Sequence, residues 1–149
     1  MAGDNALIVN RMAFYPDLSV YRYLHDPVVN GTALNVGWLD RDHAYTKGVV
    51  SIDILRRVFE ICTNLQGKTR GYHQCQFCSL SFLPSGLGVV VRMNGEKLRL
   101  GSAEMRVEFE GKIFVAPNMI LHYMKSHKYL PPPEFINAVM VRSGVIGNT

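Results

Sequence analysis

Cys75-Gln76-Phe77-Cys78, answered later in the chain by His122-Tyr123-Met124-Lys125-Ser126-His127, is the stretch whose reading decides the fold. Two thiols separated by a dipeptide, and two imidazoles beyond the interval 79–121, make two bidentate halves of one four-donor set. Such a mixture of soft and borderline donors is what a tetrahedral zinc site uses. On an ideal helix, positions five apart lie about 140° from one another after a full turn, so His122 and His127 share an ion only if the helix ends before His127. Ser126 is a weak helix former and Pro131-Pro132-Pro133 prevents continuation, so the sequence allows that ending.

Working outward, the interval between the half-sites has period two. Leu87 to Met93, a turn at Asn94-Gly95 and Lys97 to Leu100 read as a type I′ hairpin. Ala103, Met105, Val107 and Phe109 alternate with Glu104, Arg106 and Glu108, and after Glu110-Gly111 the run Lys112 to Val115 closes a second hairpin. The expectation is an antiparallel β-meander. Pro117 is placed as the first residue of the helix that carries His122, which is expected to run to about Ser126.

Upstream of the knuckle, Ser51 caps a helix expected over Ile52 to about Leu65, with Asp53 in its first turn. Ile54, Leu55, Val58, Phe59 and Cys62 fall on one apolar face, and Gly67 marks the stop. Residues 6 to 24 suggest two short strands or a strand and a loop broken at Pro16-Asp17, and His25-Asp26-Pro27 and Asn30-Gly31 read as turns. Leu34 to Leu39 alternates as a strand. Asp40-Arg41-Asp42-His43 is a polar loop in which a turn outweighs a catalytic Asp-His pair. Beyond the triple proline, Glu134 to about Val141 makes a last short helix, followed by a frayed tail.

Composition fits one domain. An apolar fraction of 48% over 149 residues supplies a single core, and no apolar run approaches the length of a bilayer span. The amino terminus lacks the pattern of a signal peptide, which leaves a soluble cytoplasmic protein as the expectation. Three cysteines are too few and the wrong parity for a disulfide framework. Cys62 reads as a buried small hydrophobe, leaving the other two for a metal. A net charge of +4 permits nucleic-acid contact, but the basic residues form no cluster.

Rival readings of the site are specific. His73, two residues before Cys75, is the alternative ligand in place of His127. A redox CxxC needs a helix opening at its first cysteine, which Gly71-Tyr72-His73 does not offer. Cys62 or Cys75 as a nucleophile beside His73 ranks lower still. With three ligands and a bound water, Glu104 would be the candidate general base of a hydrolase. Four protein donors describe instead a structural site that stabilises folding.

The blocks Thr69-Arg70-Gly71-Tyr72-His73-Gln74-Cys75-Gln76-Phe77-Cys78, Leu100-Gly101-Ser102-Ala103-Glu104-Met105-Arg106-Val107, Val115-Ala116-Pro117-Asn118-Met119-Ile120-Leu121-His122-Tyr123 and Tyr129-Leu130-Pro131-Pro132 with Phe135-Ile136, together with Trp38-Leu39-Asp40 and His43, resemble an uncharacterised family of small bacterial proteins. The likeness covers about residues 36 to 140. It implies a CxxC and HxxxxH zinc site and no established activity.

The sequence therefore predicts an α+β domain over residues 1–149. An antiparallel meander packs on a long helix, and a zinc site links the CxxC knuckle to a carboxy-terminal helix, in the manner of a zinc finger or treble clef. Residues 1–35 form a variable amino-terminal part, and residues 130–149 a proline linker, short helix and tail. The metal residues are Cys75, Cys78, His122 and His127, and the candidate binding surface is Glu104, Arg106 and Arg70. Function is read as a non-catalytic module engaging a protein partner, with nucleic-acid binding and zinc-dependent hydrolysis as the alternatives and no membrane role.

Overall fold

The computed structural model of the protein describes residues 14–21, 33–65, 73–78 and 88–145. In chain order these form β1 (Ala33–Asn35), α1 (Ile52–Thr63), β2 (Val89–Met93), β3 (Glu96–Leu100), β4 (Glu104–Phe109), β5 (Lys112–Pro117), α2 (Ile120–Ser126) and α3 (Pro133–Val145). The α+β class holds. The two hairpins close where the sequence places them, with Met93 opposite Glu96 and Phe109 opposite Lys112. Positive φ angles at Asn94 (51°) and Gly95 (82°) give the first the expected type I′ turn.

The meander is divided between two sheets. Among the described residues β2 and β3 pair only with each other, whereas β5 lies between antiparallel β4 and parallel β1. That central place explains why the end of β5 is apolar without interruption, since both faces of an interior strand are covered. Phe114 and Ala116 enter the main core with Met105 and Val107 of β4. Ile113 and Val115 face the other way, against Tyr15, Tyr21, Ala33 and Trp38, and the Trp38 indole donates to the Val115 carbonyl at 2.9 Å.

Three helices, among the described residues, cover the main core. In α1 the Ser51 hydroxyl accepts from the Ile54 amide at 3.4 Å, and Leu55, Val58, Phe59 and Cys62 are buried. Burying a large aliphatic or aromatic side chain contributes about 1.5–3 kcal/mol, so this face fastens the helix more firmly than its cap. The helix stops at Thr63, short of Leu65, because the Asn64 side chain donates back to the Glu60 carbonyl at 3.0 Å. Gly67 lies outside the described residues. In α3, Phe135, Ala138 and Val139 are buried, and the Phe135 ring meets Phe114 edge to face at 6.2 Å. No helix of the described residues is long and apolar enough to cross a membrane.

Several expected boundaries move. Pro117 ends β5, opposite Glu104, instead of opening α2, which starts at Ile120. Its missing N–H costs little at a strand terminus. Pro133 is the first residue of α3, a position that a fixed φ favours, and the helix continues past Val141 to Val145. The strand expected over Leu34 to Leu39 is only Ala33–Asn35. Gly37 interrupts it with φ at 78°, its amide donating to Asp17 at 3.0 Å, and a Cβ there would lie 2.8 Å from the Ile120 side chain. Residues 14–21 form isolated bridges, Tyr15 with Trp38 and Val20 with Leu34, instead of a strand. The run Ala6 to Val9, the residues beyond Tyr21 and the turns at 25–27 and 30–31 lie outside the described residues.

Candidate metal centre

The knuckle is a turn at Gln76-Phe77 in which the Phe77 amide donates to Cys75 Sγ at 3.3 Å. It is held against the domain two residues earlier, where the His73 amide donates to the Gly101 carbonyl at 2.9 Å. Gly101 is fixed in turn, because its own amide donates to the buried Asn118 side chain at 2.9 Å and the Asn118 amide donates to Ala103. Asn118 therefore ties the turn between β3 and β4 to the segment that leads into α2. The opposing half-site comes from α2. This short helix buries Ile120 through Met124, which turns His122 inward.

His127 reaches the same point because the helix ends beneath it. Its amide and that of Tyr129 both donate to the Tyr123 carbonyl, at 3.0 and 3.1 Å, while Lys128 takes a left-handed φ of 56°. This double acceptance is the pattern of a helix closed by a left-handed residue. It swings His127 out of its helical direction. The chain then runs beside residues 46–48, with the Leu130 amide donating to Thr46 and the Gly48 amide to Lys128. Tyr129, fully buried, donates to both oxygens of the Asp17 carboxylate at 2.9 Å. Burial and the Asp17 charge push the Tyr129 phenol well above its ordinary range.

Cys75, Cys78, His122 and His127 each offer one donor atom, and all four lie within 4.8 Å of one another. Cys75 Sγ is 3.3 Å from His127 Nε2, and Cys78 Sγ is 3.3 Å from His122 Nε2 and 3.5 Å from His127 Nε2. The two Nε2 atoms are 3.2 Å apart. A tetrahedron with metal–sulfur and metal–nitrogen bonds of about 2.3 and 2.05 Å has sulfur–nitrogen edges of roughly 3.6 Å and a nitrogen–nitrogen edge of roughly 3.3 Å. These four distances match those edges within a few tenths of an ångström, and the cluster could hold a metal ion. The knuckle is a turn, not the first turn of a helix, so the geometry that activates a redox CxxC is missing from residues 73–78.

Electrostatics prepare the same donors. Burial holds the His122 imidazole neutral down to about 4, with His127 adding to the effect, and burial also lowers His127. Neutral imidazole is the form that coordinates. Burial pushes the Cys75 thiol up to about 12, only partly offset by the Phe77 amide, so without a cation this sulfur keeps its proton. A wall of aromatic rings closes one side. Phe77 packs on Tyr45, Tyr123 and His127 at centroid distances of 5.4, 5.8 and 5.4 Å, and the Tyr45 hydroxyl donates to the His127 carbonyl at 2.8 Å. The sequence named Tyr123 among the residues of the His122 helix but did not bring these rings together, although an aromatic residue between the two cysteines was a visible signal.

The other expected residues fall elsewhere. His73 is not among the four donors; its backbone anchors the knuckle instead. Glu104 and Arg106 alternate with the core residues Met105 and Val107, so they point to the opposite face of the sheet from the cluster. There Arg106 pairs with Glu104 at 3.2 Å, the Tyr21 hydroxyl donates to the same carboxylate oxygen at 2.9 Å, and the guanidinium sits 5.9 Å from the Tyr21 ring centroid. Burial and then Glu104 push the Tyr21 phenol up to about 12. Arg70 lies outside the described residues. Asp40 and His43 do meet at 2.7 Å, but the same Asp40 oxygen accepts from the Asp42 amide and the His43 ring stacks on Phe14 at 3.8 Å. This is a turn-forming carboxylate, and its loop touches the knuckle through the Arg41 amide and the Gln76 side chain at 3.4 Å.

Residues 13–140 match the model of a family described as a domain of unknown function, DUF7919. The chain belongs to this family. The DUF7919 match begins upstream of the Trp38 block and takes in residues 14–21, of which Tyr15 and Tyr21 pack on the outer face of the β1-β5-β4 sheet. No curated protein and no solved structure matches the chain.

Proposed function

We propose that Cys75, Cys78, His122 and His127 hold a zinc ion as a structural clasp, and that this DUF7919 domain is a non-catalytic module of a small cytoplasmic bacterial protein that engages a protein partner. The convergence of four donor atoms from the knuckle and α2 carries the reading. Two sulfurs and two imidazoles complete a tetrahedron, and a structural zinc contributes on the order of 10 kcal/mol, comparable with the stability of a whole domain. A hydrolase would need an open coordination position and a nearby base. Glu104, the carboxylate suited to that role by sequence, is paired with Arg106 and Tyr21 on the far face of the sheet.

Elemental analysis with X-ray absorption tests the clasp. One zinc per chain with two sulfur and two nitrogen neighbours supports it, whereas an oxygen neighbour would move the reading to a hydrolase. Cys75→Ser should give an insoluble or molten product, and a variant with native thermal stability and metal content would sink the structural role. A salt-dependent shift of DNA or RNA at low ionic strength would replace the protein partner with nucleic acid.

A further inference from the structure

The two thiols of the cluster differ in a way that metal binding does not require. Cys75 is 8% exposed within the core, packed beside the aromatic wall, whereas Cys78 is exposed. The chain's third thiol, Cys62, is buried on the inner face of α1. An oxidant arriving from solvent therefore meets one sulfur of three. That sulfur is an anion when a cation is bound, which is the nucleophilic form, and its neighbour Cys75 Sγ lies within 4.8 Å. The two are joined by a turn of two residues, Gln76 and Phe77, in a segment with neither helix nor strand. Closing a disulfide there draws two sulfurs that lie within 4.8 Å to about 2.05 Å across that turn.

Resting on the metal reading above, we propose that Cys78 and Cys75 form a hydroperoxide-responsive release switch, with Cys78 as the sulfur attacked first and Cys75 as the resolving thiol. The Cys78 thiolate attacks one oxygen of hydrogen peroxide, breaking the O–O bond and giving a sulfenic acid and hydroxide. The Cys75 thiolate then attacks the sulfenic sulfur, forming the S–S bond and expelling a second hydroxide. Two electrons pass from the two thiolates to the peroxide, and two protons from solvent convert both hydroxides to water. The product has lost both anionic donors. His122 and His127 alone are a weak pair for a divalent cation, so the clasp opens. A dithiol reverses the step by thiol–disulfide exchange.

The test uses the full chain after its zinc content has been measured. Hydrogen peroxide is added in the presence of a chromogenic zinc chelator, and non-reducing peptide mapping follows the cysteines. The expected result is one zinc released per Cys75–Cys78 disulfide, with Cys78 modified at least about tenfold faster than Cys62. Release should be unchanged in Cys62→Ser and reversed by dithiothreitol with added zinc. Zinc retained while free glutathione at equal concentration is oxidised would overturn the switch, as would a Cys78 sulfinic acid with Cys75 unmodified. A protein that binds no zinc at the outset would overturn both this inference and the clasp, whereas zinc held but never released overturns the switch alone.

Discussion

Replacing Gly101 by alanine should damage the candidate site although Gly101 supplies none of its donor atoms. Its φ is 114°, where an L-residue is strained, and a Cβ would lie 2.5 Å from the His73 carbonyl oxygen. That oxygen belongs to backbone, so it retreats only if the segment leading to Cys75 moves by roughly 0.5–1 Å to reach ordinary contact. The strain costs about 1–3 kcal/mol, and loss of the hydrogen bond from His73 to Gly101 adds about 1 kcal/mol. A total of about 2–4 kcal/mol is a large share of a typical domain stability of about 5–15 kcal/mol. Gly95 supplies the control, since its φ of 82° is also left-handed but a Cβ there meets nothing within 4 Å. Gly95→Ala should cost only about 1 kcal/mol and leave metal affinity unchanged. Urea denaturation of both zinc-loaded variants, with chelator competition for affinity, separates strain from clash. If Gly101→Ala matches Gly95→Ala in both measurements, the knuckle is not positioned by its contact with the turn after β3.

Tyr129→Phe removes the hydrogen bond shared between the two Asp17 carboxylate oxygens from a fully buried position, and a loss of about 1.5–3 kcal/mol in urea denaturation is expected; an unchanged midpoint would refute it. Lys128→Gly relieves a left-handed backbone, and after the extra entropy of glycine in the unfolded chain it should raise stability by about 0.5–1 kcal/mol, read from the thermal midpoint. Metal binding should weaken as pH falls from 8 to 6. The Cys75 thiol, pushed up to about 12, must surrender a proton to a cation, whereas His122 stays neutral down to about 4 and releases none in this range. Each thiol proton displaced lowers the apparent affinity about tenfold per pH unit, and a pH-independent chelator competition would refute the assignment.

The parts legible in the sequence were those set by local rules. Asn94-Gly95 and Glu110-Gly111 closed hairpins because tight turns demand left-handed residues, and Ser51 capped α1 because its hydroxyl satisfies an orphan amide. The four donors were legible because metal spacing is a chemical constraint that few other uses of cysteine and histidine share. What escaped was decided between segments far apart in the chain. Nothing local to Leu34–Leu39 tells that Ile120 and Asp17 will bend the strand at Gly37, and nothing around Pro117 tells that Glu104 will hold it in a sheet. The aromatic wall of Tyr45, Phe77 and Tyr123 likewise combines a loop, the knuckle and α2.

The Asp17 carboxylate bears on the minimal unit that can assemble the four donors. One of its oxygens takes the Gly37 amide, and both take the Tyr129 hydroxyl two residues beyond His127. A fragment trimmed to the region between the knuckle and α3 would keep every donor atom and lose this strut. It would also uncover Val115 and Ile113, which Tyr15, Tyr21, Ala33 and Trp38 shelter. The autonomous folding boundary therefore lies before Pro16, well upstream of the first cysteine of the cluster, and excision or grafting of the centre has to carry that early segment with it.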